Sequence, residues 1–216
     1  MRRSLLLLSG IILTNILSGQ VVKLQTGTAI SKLDWKINGI NTEEYNDYSI
    51  NYSCLIGFDY PVHKSIDISC NTGYICKGGQ SDVQYLTATG TKTKTEKVKL
   101  NYLTLNTGID IKFPVAKYVI PYISVGQRLD YLTGSSGNTD QLLEFDELKD
   151  FVFGFLIGGG VKFDLGRILF GFRADYYLNT GNIAEYNTDY YGTGLGKSVI
   201  KNNLILVNFT IGYKLN

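Results

Sequence analysis

From Asn203 to the end of the chain, Ile205, Val207, Phe209, Ile211, Tyr213 and Leu215 fall on one parity. Asn208, Thr210, Gly212 and Lys214 fall on the other. A period of two with one apolar and one polar face marks a β-strand whose faces meet different media. The same alternation recurs upstream. It predicts strands over residues 28–38, 49–62 and 65–77, a fourth ending at Phe113, and three more over 119–131, 151–163 and 168–178. In the first of these, Ala29, Leu33, Trp35 and Ile37 form the apolar set; in the sixth, Phe151, Phe153, Phe155, Ile157, Val161 and Phe163 do.

The predicted connections alternate in length. Tight turns fall at 63–64, 114–117 and 164–167, and long loops at 39–48, 78–99, 133–150 and 180–202. This pattern predicts an all-β chain, an eight-stranded antiparallel up-and-down transmembrane β-barrel with short periplasmic turns and long extracellular loops. An even strand count places both ends of the barrel on the periplasmic side.

Alternation alone does not say which face is the core, and a soluble carrier barrel has the same period with apolar side chains inward. Three features favour the membrane form. Five or six large apolar side chains per strand would overfill the interior of an eight-stranded barrel. The polar parity is rich in small residues, namely Gly57, Gly73, Gly108, Gly126, Gly154, Gly158, Gly160, Gly171 and Gly212, which suit a crowded lumen. Trp35, Tyr52, Tyr60, Tyr131, Tyr176 and Tyr213 recur at strand ends, as an aromatic girdle at the headgroup level requires. The polar parity also carries charges of both signs. Arg128 and Arg173 are expected to pair with Asp110, Asp130 and Asp175 in a plugged lumen, because an unpaired buried charge is expensive.

Ahead of the barrel, Arg2 and Arg3 precede an apolar stretch over 5–17, followed by the small residues Ser18 and Gly19. This reads as a cleaved signal peptide over 1–19, with the barrel domain over 20–216. The stretch is shorter than the ~20 apolar residues a helical span needs. A count of 24 Gly, 16 Tyr and only 3 Pro agrees with an all-β chain. The net charge of +2 gives no reason to expect nucleic acid. Cys54, Cys70 and Cys76 lack metal-ligand spacing. A Cys54–Cys70 bridge across a hairpin is weighed against three buried small apolar side chains, and the latter is preferred.

Several segments resemble a known family. Residues 71–79, Asn-Thr-Gly-Tyr-Ile-Cys-Lys-Gly-Gly, resemble the end of the third strand in a Bacteroidetes barrel family. Tyr102-Leu103-Thr104-Leu105 with Phe113 resembles its next strand, and Pro121-Tyr122 with Gly126 the strand after that. Asp150-Phe151-Val152-Phe153-Gly154 with Gly158-Gly159-Gly160, the run 177–183, and the ending Ile211-Gly212-Tyr213-Lys214-Leu215 complete the series. The family is the outer membrane β-barrel domain proteins, often labelled porin-like, and the resemblance spans the mature chain. Cys76, where a polar residue is expected, and Asn216, in place of a terminal aromatic, depart from the pattern. The resemblance implies fold and bacterial outer-membrane location, and assembly by the barrel assembly machinery. It assigns no common activity.

No catalytic set stands out, and no metal site or cofactor is expected. His63 is the only histidine and falls in a predicted periplasmic turn, away from the outer rim where lipid-modifying barrels place theirs. Gly158-Gly159-Gly160 lies within a strand with no helix after it, so close packing accounts for it better than phosphate binding does. Residues 91–99 read as a solvated strand extension whose lysines protect an edge. The alternative makes Lys92 and Lys94 a basic rim against lipopolysaccharide phosphates. Tyr186, Tyr190 and Tyr191 in the last loop are candidates for an extracellular protein or glycan partner, weighed against an ordinary loop. Residues 140–150 are expected to form a short helix over the mouth. The leading expectation is an outer-membrane barrel in contact with lipid and lipopolysaccharide, with a structural or surface-interaction role and no catalysis. The alternatives are a narrow porin-like channel or solute-binding barrel, a soluble carrier, and, by resemblance only, an accessory barrel of a secretion or gliding apparatus.

Overall fold

The computed structural model describes residues 20–87, 90–137, 148–188 and 196–215. Strands β1 (Val21–Ile37), β3 (Ser49–His63), β4 (Ile66–Thr87), β5 (Gly90–Lys112), β6 (Val119–Gly137), β7 (Phe151–Leu165), β8 (Ile168–Asn179) and β10 (Gly196–Lys214) form one antiparallel ring. Pairing of β1 with β10 closes it. Two short strands, β2 (Ile40–Asn41) and β9 (Ala184–Thr188), add to its upper rim.

Register fixes the shape of the wall. Starting at Val21 and stepping through Asp59, Ser69, Gly108, Gly126, Leu156, Tyr177 and Leu204 returns to β1 at Ser31, ten residues along the strand. A stagger of that size in an eight-stranded ring tilts the strands by about 35–45° and leaves an interior that side chains can fill. The short turns lie at the end that carries Val21 and Lys214. The turn between β7 and β8 is closed by Gly166 at φ 86°, a left-handed conformation that glycine adopts without steric cost.

Along the lower two thirds of the wall most outward side chains are apolar. Leu24, Ile56, Ile68, Ile109, Val125, Ile157, Phe172 and Val207 are all exposed. Aromatic rings bound this band. Phe113, Tyr118, Phe163 and Tyr213 lie at the short-turn end, and Tyr52, Tyr131, Phe151 and Tyr176 towards the loops. Neighbouring rings touch across strands, with centroids 5.5 Å apart for Tyr52 and Tyr74 and 5.0 Å for Tyr131 and Phe151. All nine glycines assigned to the polar parity share their strands' inward parity.

Above the band the two faces exchange character. On the upper half of β1, Lys32, Asp34 and Lys36 point outward, while Leu33 and Trp35 point in and are buried. They meet Val98, Leu100, Leu132, Val152, Ile183 and Ile200 in an apolar cluster that fills the mouth. Trp35 is therefore not part of the aromatic girdle. It is 3% exposed and donates its indole N–H to Ser198 Oγ at 2.5 Å. The apolar set expected for the first strand, Ala29, Leu33, Trp35 and Ile37, faces inward, opposite to the apolar sets of the other ring strands. The cause is the medium. Outside the wall there is no longer lipid but water, so the ordinary rule of apolar side chains inward returns. β1 also begins at Val21, well before residue 28, because Lys23 and Gln25 occupy inward positions within its alternation.

The loop expected over 78–99 is instead a long hairpin. β4 and β5 stay in register from Ile66↔Ile111 to Thr87↔Gly90. Among the described residues, 90–97 pair with β4 only, so this ribbon stands clear of the ring as the strand extension read from 91–99 requires. The loop expected over 180–202 likewise holds β9 and the start of β10. Residues 140–147 of the expected helix lie outside the described residues; Leu148 bridges to Ala184. Cys54, Cys70 and Cys76 are free thiols. Only Cys76 is buried; Cys54 is exposed and Cys70 half-buried, so the expectation of three buried cysteines holds for one.

Val207 lies six residues from Tyr213 and six from Lys201 along β10, near the middle of the band. Val207→Arg should lower the stability of the refolded protein in bilayers by about 2–4 kcal/mol. Urea titration followed by the fluorescence of the single tryptophan measures it.

Candidate functional site

The inward face of the band carries the chemistry. Among the described residues, five buried cations, Lys23, Lys77, Arg128, Lys162 and Arg173, share the interior with five buried aspartates, Asp59, Asp67, Asp110, Asp130 and Asp175. The strands place them by parity alone. Several stand opposite glycines or serines that leave space for a long side chain, as Lys23 does opposite Gly57, Arg128 opposite Gly154 and Arg173 opposite Gly160.

The lower group centres on Lys162 of β7. Its Nζ lies 2.9 Å from Asp59, 3.2 Å from Asp67 and 3.1 Å from Asp110. Lys23 also binds Asp59, and the half-buried Lys112 closes on Asp67 at 2.6 Å. Arg173 completes the group, with Nε 2.6 Å from Asp175 and Nη1 3.4 Å from Asp110. Ser124 donates to Asp110 at 2.7 Å and accepts from Arg173 Nη2 at 2.8 Å. Tyr122 offers its ring face to Lys162 at 4.8 Å. Four cations thus face four carboxylates.

The upper group is smaller and holds one more cation than anion. Arg128 Nε lies 2.9 Å from Asp130 Oδ2, and Lys77 binds the same carboxylate. Thr104 donates to Asp130 Oδ1 at 2.6 Å. Arg128 also donates to Asn179 and stacks 4.5 Å over Tyr177, while Lys77 sits 4.4 Å over Tyr102. The ring faces supply part of the negative potential that a second carboxylate would give. An apolar layer of Leu55, Ile75, Leu156, Leu204 and Leu206 lines the same storey.

Of the expected lumen network, Arg173 is thus brought to Asp110 and Asp175, and Arg128 to Asp130. Arg128 and Arg173 belong to separate groups. The network expected from the sequence omits Lys162, Asp59 and Asp67, which share the inward parity, and also Lys23 and Lys77. Lys23 precedes the residue at which the first strand was expected to begin. Lys77 ends the expected third strand, and its parity was the signal that could have placed it inside. Lys92 and Lys94 lie on the projecting ribbon, exposed, opposite Tyr85 and Val83. Tyr186 pairs through its backbone with Ser198. Tyr190 and Tyr191 lie outside the described residues. Above the band, burial and the nearby Glu96 and Glu44 push the Tyr45 phenol above its ordinary pKa. Among the described residues no group of His, Cys, Asp and Glu could hold a metal ion.

A closed wall with an apolar exterior, bounded by aromatic rings and enclosing paired charges, defines an integral outer-membrane barrel. The chain belongs to the outer membrane protein beta-barrel domain family, whose match covers residues 20–185. Two solved structures are similar in fold. OprG from Pseudomonas aeruginosa is 14% identical with a TM-score of 0.58, covering 91% of this chain and 96% of that one. Neisserial surface protein A is 14% identical with a TM-score of 0.52, covering 91% and 97%. Among curated proteins, none matches this sequence. The protein is a barrel of the bacterial outer membrane.

Asp130→Asn should destabilise the barrel by about 3–5 kcal/mol, since it leaves two buried cations without a carboxylate. Adding Lys77→Met should recover part of that loss, which the same urea titration reads. At Gly158 an added Cβ would stand 2.2 Å from Asp175 Oδ1 and 2.3 Å from the Ala174 carbonyl oxygen. Gly158→Val should cost a further ~1–3 kcal/mol through overpacking.

Proposed function

We propose that this protein is a non-catalytic outer-membrane barrel with a closed lumen, whose work is structural or done at its outer surface. The observation that carries this reading is the interior itself. Two layers of paired charges and an apolar cluster at the mouth lie across the path a solute would take. Ion pairs of this kind, buried and mutually hydrogen-bonded, resist opening because parting them strands charges out of water.

The surface supports contact with lipopolysaccharide. Lys32, Lys36, Lys99 and Lys201 point outward just above the apolar band, at the level where phosphate groups of the outer leaflet lie. The projecting ribbon, with Lys92 and Lys94, adds cationic area farther out and a free strand edge that suits an extracellular protein or glycan. Residues 1–19 act as a signal peptide removed on export, and the family match beginning at residue 20 supports that boundary. Insertion then falls to the barrel assembly machinery.

A second reading, a narrow water-filled channel, has one observation in its favour. Asn71 Oδ1, Asp175 Oδ1, Asn208 Nδ2 and Arg128 Nη1 are buried in the lumen without hydrogen-bond partners among the described residues. A thread of water would satisfy them.

Conductance separates the two. Purified protein in planar bilayers should give no reproducible unit currents. Discrete currents that change on Arg128→Ala would establish the channel instead.

A further inference from the structure

Facing the lipid, the apolar band carries four threonines, Thr26, Thr28, Thr72 and Thr107, and one amide. Between the two aromatic rings, the described outward side chains are apolar, glycine, threonine or cysteine, and Gln127 on β6 is the single amide among them. Thr26 and Thr72 return their hydroxyls to strand carbonyls, of Ser53 at 3.3 Å and Thr104 at 3.0 Å. Gln127 is exposed and has no hydrogen-bond partner among the described residues. It lies four residues below Tyr131 on its strand, too deep for a side chain of its length to reach the headgroups. An amide in hydrocarbon without a partner is costly, so this position calls for something that covers it.

The surroundings say what kind of cover fits. Gln127 stands directly opposite Thr107 on β5 and Phe155 on β7. Thr107 in turn opposes Cys70 on β4. These small side chains leave a groove of about 660 Å³ beside Gln127, walled by Ile109, Val125, Phe155, Ile157 and Leu178. The lining is apolar and carries no charge that would select a charged partner.

We propose that this β5–β6–β7 face is the interface of a homodimer whose two-fold axis runs along the membrane normal beside Gln127. Copies inserted by one route share orientation and depth, so a closed pair is related by such an axis. That symmetry sets each residue against residues of its own depth. A primary amide both donates and accepts. Two Gln127 side chains therefore satisfy one another reciprocally, which neither a lone cation nor a lone carboxylate could do. The groove gives the partner's apolar side chains a recess on either side of the axis.

Cysteine crosslinking in native outer membranes tests this with Gln127 intact. In a background where Cys54, Cys70 and Cys76 are replaced by alanine, Val125→Cys is placed in the groove and Leu24→Cys on β1, across the ring. Heat-dependent gel migration verifies that each variant is folded. Under mild oxidation Val125→Cys should give a band of twice the monomer mass, and Leu24→Cys should not. Adding Gln127→Leu, which suits lipid and should fold, is expected to lower the crosslinked fraction at least tenfold, and Gln127→Ala should do the same. Equal crosslinking at both positions, no dimer from Val125→Cys, a band with a different protein, or a dimer indifferent to both Gln127 variants would each overturn the proposal.

Discussion

Lipid on the outside of the wall dictates what can stand inside it. A strand in this ring has two faces and needs its backbone paired on both edges, because hydrocarbon offers no hydrogen bonds. Closure of β1 on β10 meets that demand. Once the outward face is spent on Leu, Ile, Val and Phe, only the inward face remains for polar groups, and they must satisfy one another there. The lumen chemistry of Lys162, Asp110 and Arg173 is thus a consequence of the exterior. The exchange of faces above the aromatic ring is the same rule with the solvent changed. Where Lys36 and Lys201 meet water, Leu33, Trp35 and Ile200 can turn in and cap the barrel.

This gives one wall two kinds of core. In the lower storey, specificity comes from charge pairing, where one lysine holds three carboxylates and a serine bridges an arginine to an aspartate. In the upper storey it comes from apolar packing around Trp35 and Tyr102. The boundary runs through the Lys77–Asp130–Arg128 group, which touches both.

Much of this was legible in the sequence. Alternation gave the strand order, and the parities of seven strands read correctly because the same lipid faces most of their length. The first strand misled for a physical reason. Its most conspicuous apolar residues, Leu33 and Trp35, stand above the band, where the rule reverses, and the lipid-facing stretch beginning at Val22 is short and interrupted by Thr26 and Thr28. The hairpin of β4 and β5 was legible only as the strand extension over 91–99, because both of its faces are wet and Thr91, Thr93 and Thr95 alternate with charged residues without an apolar signal. Charge pairing was legible in type, since charges of both signs shared the inward parity. Which arginine meets which aspartate depends on the stagger of ten residues around the ring, and no single strand contains it.

The exchange of faces can be measured directly by nitroxide scanning along β10, from residue 197 to 213, in bilayers with oxygen and a water-soluble nickel chelate as the two quenchers. The odd positions 205–211 should respond to oxygen, the odd positions 197–201 to nickel, and the even positions 198–208 to neither. Oxygen access that continued through 201 and 197, or nickel access at the even positions 200 and 202, would contradict a barrel whose inside and outside trade places at the membrane surface.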